Sequence, residues 1–172
     1  MLKIINDFQI MEMMIFFWES VADKEKVPDS YFINIAEKPE MSVLYNDEFT
    51  QESVRKVMSA ITNRERLNNR TKLESKFWNN NMRMLEDRGM TEALIAPAKV
   101  VNFTELEKKY PDLNKEINLI FIPGCAEEHY IKNNTIYMNF FKLINDFENP
   151  ECVKIDGKPF KERITEIIET IL

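Results

Sequence analysis

Apolar residues recur near the end of the chain at Phe160, Ile164, Ile167, Ile168 and Ile171, spacings that fall on one helix face and predict an amphipathic closing helix. The most apolar run lies at the other end, Ile10 to Trp18, and reads IMEMMIFFW. As a helix from about Lys3 to Asp23, this segment puts Ile4, Phe8, Met11, Ile15 and Trp18 on one stripe. Ile10, Met13, Phe16 and Phe17 widen the apolar surface around the cylinder, which predicts a core helix with neighbours on more than one side. A share in a homodimer or partner interface is the second reading, because methionine and aromatic side chains adapt to both settings.

Between these ends the pattern changes period. Val27-Pro28-Asp29-Ser30 reads as a turn into a short helix, Tyr31 to Glu37, and Asn46-Asp47 marks a break. Thr50 opens a helix carrying Val54, Val57, Met58 and Ile61. Thr71 and Glu74 form a capping box for a helix with Leu73, Phe77, Trp78, Met82 and Leu85, which Gly89 is expected to stop. Leu94 to Val101 reads as one or two strands around Pro97, and Thr104 with Glu107 as a second capping box.

Ile117 to Ile122 is the best candidate for a buried central strand. Asn133-Asn134 suits a two-residue hairpin turn, whose register sets Lys132 opposite Thr135, Ile131 opposite Ile136, Tyr130 opposite Tyr137 and His129 opposite Met138. Asp156-Gly157 repeats the turn signal. The order predicts one α+β domain over 1–172: helix-rich to 90, strand-rich from 91 to 158, and helical from 159. The helical amino-terminal portion is expected to pack on a small, mostly antiparallel sheet, with the amphipathic helix closing the chain.

Composition narrows the chemistry. Three glycines are too few for a glycine-rich phosphate cradle. With two cysteines and one histidine, neither a four-thiolate zinc site nor one of two thiolates and two imidazoles is available, and a disulfide scaffold is excluded. Glu12 interrupts the apolar run, which at nine residues falls short of the roughly 20 a spanning helix needs. No small-residue cleavage site follows Trp18. The expectation is a cytoplasmic protein with no membrane contact.

Pro123 to His129 gathers the only histidine, one thiol and two carboxylates after the central strand. Cys125, Glu128 and His129 are therefore the candidate catalytic residues, yet the hairpin register sends His129 to the face shared by Ile131, Ile136 and Met138. A core or rim histidine with one hydrogen-bond partner is the preferred assignment, and the sequence implies no cofactor and commits to no metal site. Residues 55–88 hold nine basic and four acidic side chains, a local +5 against −11 elsewhere in a chain of net −6. Within it, Arg64, Arg66, Arg70 and Lys72 with Trp78 are the candidate binding residues for an anionic partner, while the acidic remainder disfavours nucleic acid. Asn79-Asn80-Asn81 stands out as poor helix interior beside Trp78.

These features together suggest a non-enzymatic protein-interaction or regulatory module that contacts a partner protein or a second copy of itself. The alternative is a small enzyme or metal-dependent protein using the loop of Cys125, Glu128 and His129.

Overall fold

The computed structural model describes residues 1–146, 148, 149 and 152–172. Its elements run β1 (Leu2–Asp7), α1 (Gln9–Ala22), α2 (Asp29–Ala36), a 3-10 turn (Pro39–Leu44), α3 (Gln51–Thr62), α4 (Lys72–Glu86), α5 (Arg88–Val100) and α6 (Thr104–Lys109). The strand-rich part follows as β2 (Lys115–Ile122), β3 (His129–Lys132), β4 (Thr135–Asn139), β5 (Ile144–Asn145), β6 (Val153–Ile155) and β7 (Lys158–Pro159), and α7 (Phe160–Glu169) closes the chain. The fold is α+β, with a helical amino-terminal portion, two sheets and a carboxy-terminal helix.

The larger sheet has the order β1-β2-β4-β3 and the smaller β5-β6-β7. Among the described residues three of the five strand pairings are antiparallel, and β1 with β2 and β2 with β4 are the parallel ones. β2 lies between β1 and β4, and Ile117, Leu119, Phe121 and Ile122 are fully buried, as expected of a central strand. The hairpin register is the one predicted, His129 opposite Met138 through Lys132 opposite Thr135. Asn133 turns it with φ 54°, and Asp156 and Gly157, at 53° and 76°, turn β6 into β7 with both central residues left-handed.

Three elements differ from the sequence reading. The segment expected to be helical from Lys3 begins as β1, because Leu2 to Asp7 pair in parallel with Lys115 to Ile120. Asp7 Oδ1 then accepts the amide of Gln9 at 2.9 Å and starts the helix there. Leu94 to Val101, expected to be extended, is the second half of α5, with Pro97 inside it and Leu94 and Ala98 buried one turn apart. Asn6 of β1 donates its side-chain amide to the carbonyls of Ala98 and Lys99, closing the end of that helix. Gly89 does not stop α4; Asp87 does, and its carboxylate accepts the Met90 amide at 2.9 Å to start α5.

Caps follow the same logic. Thr71 and Glu74 form the reciprocal box predicted, and Thr50 forms one with Ser53. Thr104 does not, since the Glu107 carboxylate instead accepts the Ile4 amide at 3.1 Å and fastens α6 to the β1 edge. The core joins the layers through Phe17, Trp18, Phe32, Phe49, Phe77, Phe121 and Phe140, all fully buried. Among the described residues no helix is long and apolar enough to cross a membrane.

Candidate functional site

Cys125 lies in the loop from Pro123 to Glu128 that leaves β2, and two asparagines hold that loop from opposite sides. Asn139, fully buried at the end of β4, accepts the Gly124 and Phe141 amides at 3.1 Å and donates to the Glu127 carbonyl at 3.0 Å. Asn80 of α4 donates to the carbonyls of Gly124 and Cys125 at 3.2 and 3.1 Å. Gly124 is required here, since a Cβ would meet the Asn139 side chain at 2.6 Å.

Cys125 itself is only 6% exposed, and burial pushes its thiol up to about 12. A nucleophilic cysteine needs the opposite shift, because the thiolate is the reactive form. Glu128 accepts a forked pair of hydrogen bonds from Arg163 of α7, the shortest 2.9 Å, and contacts His129 Nδ1 at 2.9 Å. Burial alone would raise the Glu128 carboxyl, but the hydrogen bonds from Arg163 and His129 outweigh it and hold it below the usual range. The three residues of the proposed catalytic loop are thus divided between a buried thiol and a clasp that fastens α7 to the start of β3. Among the described residues no group of three or more His, Cys, Asp or Glu side chains is placed to hold a metal ion.

The basic stretch has a different character. α3 ends with Arg64 in the left-handed region at φ 56°, the Glu65 amide reaching the Ala60 carbonyl at 2.8 Å and the Arg64 amide that of Ile61 at 3.2 Å. Leu67 is buried and anchors the connection, while Asn69 makes a second left-handed turn at φ 50°. Lys56 braces it by donating to the Asn69 carbonyl at 2.8 Å and to the buried Glu74 carboxylate at 3.1 Å.

This scaffold leaves a concavity of about 340 Å³ lined by Arg66, Asn68, Arg70, Ser75, Trp78 and Asn79. A second, of about 550 Å³, is also lined by Trp78 and includes Ile61, Arg64, Met82 and Leu85. Four of the five candidate binding residues are therefore brought together around one indole; Lys72, at the start of α4, lines neither concavity. Among the described residues no carboxylate lies within 4.0 Å of the guanidinium of Arg64, Arg66 or Arg70; Arg70 donates only to the Leu67 carbonyl, at 2.6 Å. The indole nitrogen of Trp78 is buried and has no hydrogen-bond partner among the described residues.

The asparagine triplet is resolved residue by residue. Asn79 lines the polar concavity, Asn80 holds the Cys125 loop, and Asn81 is fully buried against Trp18. Asn139 and Arg163, which organise the loop, carry no signal in the sequence beyond their polarity. Comparison with protein-family models, curated proteins and solved structures finds no match to this chain.

Proposed function

We propose that the protein is a non-enzymatic protein-interaction module of the cytoplasm, whose contact face is the α3–α4 connection together with Trp78. The observation that carries this reading is the set of Arg64, Arg66 and Arg70, exposed and without carboxylate partners among the described residues, beside a half-buried tryptophan. Tryptophan and arginine are the side chains that most often dominate binding energy at protein interfaces. The Cys125 loop supports the same reading from the other side, since its thiol, Glu128 and His129 are committed to burial and to the Arg163 clasp. Two cysteines outside any disulfide accord with a reducing compartment.

Affinity capture from the native host, read by quantitative mass spectrometry, tests the assignment. Partners should be lost with Trp78→Ala or with Arg66→Glu/Arg70→Glu and retained with His129→Gln and Cys125→Ala. The reverse pattern would move the function to the Cys125 loop. A native mass spectrum of the untagged protein completes the test: a second copy appears as a dimer, and a retained metal or small molecule as extra mass.

A further inference from the structure

Trp78 lines two concavities of different make-up. In one, Arg66, Arg70, Asn68 and Asn79 make a polar hollow; in the other, Val21, Ile61, Met82 and Leu85 make an apolar one, with Arg64 and Glu65 also lining it. Nearby cations are already satisfied, Arg55 by Glu52 and Asp29 and Lys56 by Glu74. Arg66 and Arg70 are not paired with any carboxylate among the described residues, and neither guanidinium can accept a hydrogen bond. The polar side therefore presents an excess of donors and positive charge. Such a surface selects a ligand rich in anionic acceptors.

The apolar side selects something else on the same ligand. Its volume of about 550 Å³ accommodates an aliphatic or aromatic side chain against Met82 and Leu85. A long polyanion fits the face poorly: outside residues 55–88 the chain carries a net −11, and Glu65 stands in the apolar concavity itself. A few localised carboxylates flanking an apolar anchor match both hollows.

Resting on the interaction module proposed above, we infer that this face docks an acidic segment of a partner protein, with Leu, Met or an aromatic residue in the Met82–Leu85 hollow and Asp or Glu carboxylates on Arg66 and Arg70. The left-handed Arg64 belongs to the same design. Glycine is the least costly residue at that backbone position, and arginine there adds a third cation beside the anchor.

The test is selection of a random peptide library displayed on phage against the full chain, in parallel with Arg66→Gln/Arg70→Gln. Both arginines are on exposed loop positions, and since Arg70→Gln gives up the bond to the Leu67 carbonyl, the variant is used only with a far-UV circular dichroism spectrum and unfolding midpoint like the parent's. Enriched peptides should carry Asp or Glu within a few positions of Leu, Met, Phe or Trp. A synthetic member should change the emission of Trp78, the other tryptophan, Trp18, being buried. The double variant should weaken that peptide at least about tenfold, and added salt should weaken it further.

Four results would overturn the inference: enrichment of basic or uncharged peptides, no enrichment, equal binding to the variant, or tighter binding of single-stranded oligothymidylate than of any selected peptide. Self-association abolished by the double variant would also overturn it, by making the occupant a second copy. Capture that depends on Trp78 without acidic enrichment removes this ligand class and leaves the interaction module in place.

Discussion

Trp18 donates its indole Nε1–H to Asn81 Oδ1 at 2.9 Å, and both side chains are buried. Asn81 in turn donates its side-chain amide to the Phe77 carbonyl, one turn back in α4, also at 2.9 Å. The pair ties α1 to α4 at the point where Phe140 and Phe141 pack on the indole with ring centroids 6.1 and 6.0 Å away. A polar residue poorly suited to helix interiors is here the acceptor that a buried tryptophan requires.

Asn81→Leu leaves that indole N–H without an acceptor in a dry core, and the expected loss is about 2–3 kcal/mol of unfolding free energy. Trp18→Phe removes the donor, so the two substitutions together should cost less than their sum. Urea denaturation of both single variants and the double reads the coupling. Full additivity would show that the bond carries no stability of its own.

Gly124→Ala should destabilise the chain by roughly 1–3 kcal/mol, because the new methyl group meets Asn139 at 2.6 Å and Asn139 has three loop hydrogen bonds to keep. Denaturation midpoints measure it. Asn139→Gly in the same chain relieves the clash but forfeits those bonds, so it should not restore stability to the original value.

The Cys125 thiol sits above its ordinary value of 9.0, at about 12. Above pH 9 the unfolded chain releases this proton while the native state keeps it, so the native state is the better proton binder and stability falls as pH rises from about 9 toward 12. Cys125→Ala should flatten that part of the stability profile relative to the parent protein. In the native state a thiol reagent near pH 8 should label Cys152, which is partly exposed, well before Cys125. Rapid labelling of Cys125 would mean that its loop opens readily.

Glu128 gives the opposite sign. Held below its ordinary 4.5, the carboxylate contributes stability that is fully present above that pH and is lost as pH falls through its native value. Arg163→Ala should cost about 1 kcal/mol at neutral pH, since the pair is only partly exposed, and should weaken the decline on the acid side. Amide exchange in α7 reports the loss locally: protection there should drop more than in β2. Unchanged protection in α7 would show that Phe160 and the isoleucine stripe hold the helix without the clasp.

The features legible from sequence were those set by near neighbours. The closing helix followed from Ile164, Ile167 and Ile168, all buried, and the β3–β4 register from Asn133-Asn134 and the alternation around them. Thr71 and Glu74 cap α4 as their spacing required. What was missed depended on distant partners. Ile4 and Phe8 fit the helical spacing of the run that follows, and only pairing with β2 makes Leu2–Asp7 extended. Leu94 to Val101 has strand-like composition, yet burial of Leu94 and Ala98 and the carbonyl contacts from Asn6 favour helix. Glu107 had two uses open to it, and the Ile4 amide took it from Thr104. In the candidate face, Arg64, Arg66, Arg70 and Trp78 were identifiable as residues, but their meeting around two hollows required the turn after α3.

The parallel pairing of Leu2–Asp7 with Lys115–Ile120 also orders events during synthesis. The first strand leaves the ribosome long before the strand that receives it, and all six helices from α1 to α6 are translated in between. Until Ile120 emerges, Leu2–Asp7 has no partner strand to hold it extended, and the larger sheet cannot nucleate from β1. Completion of the larger sheet is therefore a late, long-range event, and β1 stays available to chaperones or mispairing until β2 has been made.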